Sequence, residues 1–228
     1  QFDSLNFENL PEAVRPDAMY KKAWTAAQGD AYDPLPTLSA YIDSYPADHR
    51  MPDALTLRGT FLGKQNKVNE ALADYDRVIR DYPDSDSVAV CWQRAAKLCA
   101  GRDADKMVDY YQGFIKCCQE MTKQGKKIKP GALAEAHYNI AGVLAEKDPA
   151  TAVLHFQEAR TLYPEQYASL VDLRLVQCFF KMKDAENLKK ALEVLERSNL
   201  ASYNALPPAI LRWCGWTRFQ SQGYLSAN

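Results

Sequence analysis

Apolar residues along this chain recur at spacings of three and four, in short runs broken by polar turns. In the stretch 68–81, Ala71 is followed by Tyr75, then Val78, and Pro83 closes the pattern. Such a stripe lies on one face of a helix, and the proline ends it. The same stripe returns as Ala152, Phe156, Ala159 and Pro164. A second amphipathic run precedes each stripe. In the first case it covers 52–64, and Gln65-Asn66-Lys67 separates the two. Small Gly59 in one leading run matches small Ala141 in the other. A small residue lets two antiparallel helices approach closely, and the aromatic of the stripe fills the space beside it.

The rest of the chain follows the same plan. Residues 1–15 hold Phe2, Leu5, Phe7 and Leu10 with little period and read as a lead-in segment. Pro16 suits the first turn of a helix over 17–28. Pro34 opens its partner, with Leu38, Tyr41 and Ile42 inward and Tyr45-Pro46 at its end. A third pair places Cys91, Trp92, Ala95, Ala96 and Leu98 on one helix. Its second helix carries Met107, Tyr110, Tyr111, Phe114 and Ile115, and continues to about Lys123 before a basic loop at 123–131. The fourth pair spans AEAHYNIAGVLAEKDPATAVLHFQEARTLYP. The fifth has Leu175, Val176 and Phe179, a turn at Lys183-Asp184, then Leu188, Leu192 and Leu195. Residues 208–222 form one more helix carrying Ile210, Leu211, Trp213, Cys214 and Trp216. It reads as a cap on the last pair, with a truncated further repeat as the alternative. Tyr-Pro endings recur at 45–46, 82–83 and 163–164. Proline there prevents the helix from continuing.

This pattern resembles the tetratricopeptide repeat, with its W-x2-L-G-x2-Y, A-x3-F and P positions over about 34 residues. The resemblance covers roughly 16–200 and is tightest in the second and fourth pairs. It implies an all-α fold, a right-handed superhelical solenoid of about five antiparallel helix pairs plus a C-terminal helix. The domain plan is a lead-in at 1–15, the solenoid at 16–206 and a capping helix and tail at 207–228. It also implies a concave face made by the first helix of each pair, where peptides and protein segments lie. Carried over residue by residue, that face holds Thr56, Thr60 and Lys64, then Trp92, Gln93 and Ala96. It continues with Tyr138, Asn139 and Gly142, and with Arg174, Gln177 and Lys181. Asn139 matches an asparagine that peptide-binding members use to grip a ligand. The full lysine and asparagine clamp of chaperone-tail binders does not recur. Arg58 and Arg94 stand where the family has a core leucine. Each either lines the inner surface or packs its stem and sends its head to water.

Composition narrows the chemistry. The chain has 228 residues, 47% hydrophobic and 25% charged, with a formal net charge of −1. No global field draws it to nucleic acid, and no apolar run reaches the ~20 residues of a membrane span. The polar, acidic N-terminus reads as lacking a signal peptide, and a start at Gln reads as a processed or trimmed chain. Six cysteines without a C-x-x-C pair read as small hydrophobes on apolar helix faces. His137 and His155 are expected to face each other as a structural pair rather than ligate a metal. Asp74 and Asp76, like Asp84 and Asp86, are expected to be solvated. Lys123, Lys126, Lys127 and Lys129 form the basic cluster of the loop. No catalytic, cofactor or metal motif emerges. The functional expectation is a non-enzymatic scaffold that binds a peptide or partner protein. The alternative is a recruiting module of a larger envelope-associated or enzymatic chain. Self-association through Trp213 and Trp216 is also expected as an option. The Tyr-Pro ends resemble those of bacterial envelope proteins, which implies a periplasmic or envelope location. Phe2, Leu5 and Phe7 are spaced to fill the groove from within.

Overall fold

The computed structural model describes residues 7–28, 33–198, 208–210 and 212–213. These residues are helical throughout, with connecting turns and no strand. The order is α1 (Arg15–Gln28), α2 (Leu35–Ser44), α3 (Met51–Lys64), α4 (Val68–Asp81), α5 (Val88–Cys99) and α6 (Ala104–Lys123). It continues with α7 (Pro130–Lys147), α8 (Pro149–Leu162), α9 (Pro164–Met182) and α10 (Ala185–Arg197). The chain forms two compact units, residues 1–123 and 124–228. The boundary falls at the basic loop that the sequence pattern placed inside one solenoid. Two short 3₁₀ turns, Phe7–Asn9 and Glu12–Val14, occupy the described part of the lead-in. Phe2, Leu5, Cys214 and Trp216 lie outside the described residues.

Local chemistry sets the helix ends. Asp148 separates α7 from α8 and accepts from the Thr151 amide at 3.1 Å and the Thr151 hydroxyl at 2.6 Å. Pro149 takes the first helical position, where its missing N–H costs nothing. Asp184 caps α10 through the Asn187 amide at 2.9 Å. Tyr45, Tyr82 and Tyr163 end α2, α4 and α8 with φ of −131°, −134° and −148°. In each case the following proline pushes the tyrosine out of the helical region. Asn66 and Lys183 turn the chain between α3 and α4 and between α9 and α10 with φ of 61° and 63°.

In the first unit successive helices pack on one another from α1 through α6. Leu38, Tyr41, Met51, Leu55, Ala71, Tyr75, Val78, Cys91 and Ala95 form its core. Gly59 faces the Tyr75 ring so closely that an added Cβ would sit 2.8 Å from it. This is the small-against-aromatic contact that the stripe called for. The second unit is built the same way on Ala134, Ala141, Ala152, Phe156, Ala159, Val171, Leu175, Val176 and Leu195. Ile210 joins that core, and the Trp213 ring meets Phe180 edge-on with centroids 5.6 Å apart. The start of the terminal segment, residues 208–210 and 212–213, therefore packs against α9.

The repeat length can be read from contacts between neighbouring hairpins. Ser87 donates to Asp53 across 34 residues, and Thr56 meets Cys91 at 3.0 Å across 35. Arg102 donates to Asn66 at 2.9 Å across 36, and Tyr110 to Asp76 at 2.8 Å across 34. In the second unit Lys181 reaches Glu146 across 35. The folding unit thus has the period of the sequence stripe.

Candidate protein-interaction face

Within each unit the first helices of the hairpins touch one another: α1 with α3, α3 with α5, and α7 with α9. Their outer sides make the candidate face. In the first unit, Thr56 is half-buried and donates to the Pro52 carbonyl at 2.7 Å while contacting Cys91 Sγ. Thr60 donates to the Thr56 carbonyl at 2.7 Å and accepts from the Tyr75 hydroxyl at 3.4 Å. The two hydroxyls therefore stitch α3 to α5 and to α4. Burial pushes the Cys91 thiol up to about 11, so it serves as a packing group here. Trp92 lays its ring against Gly113 of α6, where an added Cβ would fall 2.3 Å away, and meets Tyr110 edge-on at 6.0 Å. Gln93 beside it is half-buried. Lys64 sits 4.6 Å over the Phe61 ring.

The second unit is more open. Tyr138 packs inward against Phe156 and Tyr167, at 5.5 and 5.2 Å between ring centroids. Asn139 is half-buried and donates to the Glu135 carbonyl at 2.8 Å. Gly142 is exposed, with nothing within 4 Å of where a Cβ would stand. Lys181 crosses from α9 to the end of α7, donating to the Ala145 and Glu146 carbonyls at 3.3 and 3.2 Å. It thereby caps the negative end of that helix. Counting back along both helices by the same 35-residue offset pairs Gln177 with Gly142 and Arg174 with Asn139 in register. Arg174 is exposed and donates to Gln177 at 3.3 Å. Asn139 and Gly142 on α7, and Arg174 and Gln177 on α9, are the polar positions in register on these two helices, with open space at Gly142. Leu170, 48% exposed, lies one turn before Arg174 on α9.

Arg58 and Arg94 part company. Arg58 is drawn into the first unit, where Nε and Nη2 donate to Asp74 at 2.8 and 2.6 Å and Nη1 to Ser39 at 3.3 Å. Arg94 is exposed. Asp74 is only 4% exposed, so the expectation of a solvated charge there is corrected. Arg58 from the neighbouring helix compensates the burial, a partner that charge spacing along one helix does not reveal. Asp76 likewise is engaged, by Tyr110. In the second unit Asp172 is 5% exposed and receives Arg160 at 3.0 Å, Arg197 at 3.2 Å and Ser198 at 2.7 Å.

His137 and His155 do meet, Nδ1 to Nδ1 at 2.9 Å, between α7 and α8. Burial and its neighbour hold His137 down at about 4, and burial also lowers His155. Both rings are therefore neutral at pH 7, one donating and the other accepting. Cys91, Cys99, Cys117, Cys118 and Cys178 are free thiols. Among the described residues no group of three or more His, Cys, Asp or Glu is placed to hold a metal. Among them, too, no helix is long and apolar enough to cross a membrane.

Residues 53–85 match the family model of the tetratricopeptide repeat. No curated protein matches the chain in sequence. Among solved structures, a MamA double mutant (MamA RS-1 ArsTM) superimposes with a TM-score of 0.56 at 15% identity, covering 82% of this chain and 97% of that one. MamA 41-end from Desulfovibrio magneticus RS-1 gives 0.55 at 16% identity, with the same 82% and 97%. BtubC (BKLC) from P. vanneervenii gives 0.54 at 14% identity, covering 86% of this chain and 85% of that one. At such identities the likeness is one of fold. Residues 53–85 thus match one tetratricopeptide repeat, and the period of 34 to 36 residues between hairpins extends the same helical-hairpin fold along the described residues.

Proposed function

We propose that the chain is a non-enzymatic protein–protein interaction scaffold that takes a peptide or partner segment on the first-helix face of its hairpins. The repeats and the fold of the structural neighbours support a scaffold. The observation that carries the finer reading is the patch on α7 and α9. There Gly142 leaves open space on α7, Arg174 and Gln177 stand on the neighbouring α9, and Lys181 ties the two helices together. An extended segment approaching this spot meets an amide and a cation without having to displace a side chain. The exposed Arg174 favours a segment with acidic character. An envelope location goes with this reading on the strength of the Tyr-Pro endings alone, and fractionation of the source cells tests it.

Because Tyr138 is wedged into the core, its removal is a poor probe of the face. Gly142→Arg with Arg174→Glu fills and reverses the patch while leaving the packing intact. Leu154→Arg, on the outer side of α8 where Leu154 is 62% exposed, is the control. In affinity capture from source-cell lysate, a partner retained by the native chain and the control but lost by the double variant is the expected result. Equal retention by all three would move the binding surface elsewhere.

A further inference from the structure

The two histidines of the fourth hairpin are absorbed by no binding role. They sit alone at the seam between α7 and α8, each the other's hydrogen-bond partner at 2.9 Å, with ring centroids 5.0 Å apart and the planes tilted by 40°. A bond between two neutral imidazoles needs one Nδ1 to carry hydrogen and the other to be bare. A first proton can be shared along that bond, so the pair titrates as a unit. A second proton leaves two N–H donors facing each other, and the bond must break. The charged group facing His137 would then be His155 itself. The charged group facing His155 is Glu158, one turn along α8, which eases the first charge but does not separate the rings.

We propose that the His137–His155 bond is an acid-sensitive latch on the α7–α8 hairpin, shut at neutral pH and opened when both imidazoles are protonated. His137 directly precedes Tyr138 and Asn139, so opening the seam moves the residues that frame the patch on α7. The sign follows from linkage. The open hairpin takes up protons near the ordinary value of 6.5, whereas the closed one resists until about 4 for His137. Closure is therefore fully favourable above that ordinary value and weakens as pH falls toward 4. For His137 alone, the opening constant rises roughly 20-fold between pH 7 and pH 5. The first unit provides an internal standard, because the α3–α4 hairpin is joined by Arg58 and Asp74 and carries no histidine on either helix.

The test is amide hydrogen exchange on the intact chain at pH 7.5 and pH 5, corrected for the intrinsic pH dependence of exchange. The expected result is a loss of protection of about tenfold or more across 130–162 with 51–81 unchanged. His137→Leu with His155→Leu replaces both polar partners by apolar groups of similar size, and its protection in 130–162 should not depend on pH over this range. If that variant fails to fold, imidazole nitrogen NMR of the native chain decides. Depressed, coupled titrations with a mixed pair of tautomers support the latch. Independent titrations at the ordinary value, or equal loss of protection in both hairpins at pH 5, overturn it. The test reads the hairpin itself and is independent of whether the face binds a partner.

Discussion

Asp74 and His155 occupy the same place in their hairpins, three residues after the alanines Ala71 and Ala152 of the two apolar stripes. Each reaches back to the first helix of its own hairpin, and there the likeness ends. Asp74 receives a two-pronged Arg58 that is charged at every attainable pH, with Ser39 of α2 as a third anchor. His155 receives a second histidine, and that bond is lost once both rings carry a proton. One repeat therefore fastens its seam with an ion pair and the other with a bond between two imidazoles. The backbone plan is common to both, so the difference lies in side chains and can be taken apart by substitution.

The largest effect is expected from Asp74→Ala. It leaves Arg58 half-buried without its carboxylate, which costs about 3 kcal/mol, the low end for a broken buried pair because the guanidinium keeps some water. Urea unfolding of the native and variant chains measures it, and a shift under about 1 kcal/mol would show the pair to be ornamental. Gly113→Ala comes next. Its new methyl meets the Trp92 ring at 2.3 Å, and the strain costs about 1–3 kcal/mol. Gly142→Ala is the contrasting case: with open space around it, the same change should be neutral or stabilising by up to about 1 kcal/mol through helix propensity. Thermal melting of the two side by side separates an occupied glycine site from an empty one. His155→Leu should cost about 1 kcal/mol at pH 7.5 by leaving His137 without a partner, and less at pH 5, where the native bond is already failing. The smallest effect belongs to Lys183→Gly, which relieves a left-handed turn at φ 63° and should add a few tenths to about 1 kcal/mol.

Much of the architecture was legible because it rests on spacing. The stripe from Ala71 to Pro83 fixed the extent of α4, and the Tyr-Pro pairs fixed three helix ends through the steric demand of proline. The meeting of His137 and His155 was also legible, since both stand at matched places on antiparallel neighbours. What spacing along one helix cannot carry is the partner on another. Asp74 reads as a surface charge until Arg58 is brought beside it, and Arg58 reads as either a groove residue or a packed stem with its head in water until it turns toward Asp74. The candidate face shows the same limit. Trp92 has the place of a groove residue, yet Gly113 gives its ring a slot to fill, and Tyr138 is drawn in by Phe156 and Tyr167. Of the positions expected on that face in the second unit, Gly142, Arg174 and Lys181 are exposed, while Asn139 and Gln177 are half-buried.

The scaffold reading meets its most direct test in site-specific photocrosslinking. A photoreactive residue placed at Gln177 on α9 is compared with one at Leu154 on the outer side of α8. Discrete crosslinked partners from Gln177 and none from Leu154 are the predicted outcome. Crosslinks from Leu154 with a silent Gln177 would contradict the account and transfer the interaction to the second-helix side of the hairpins.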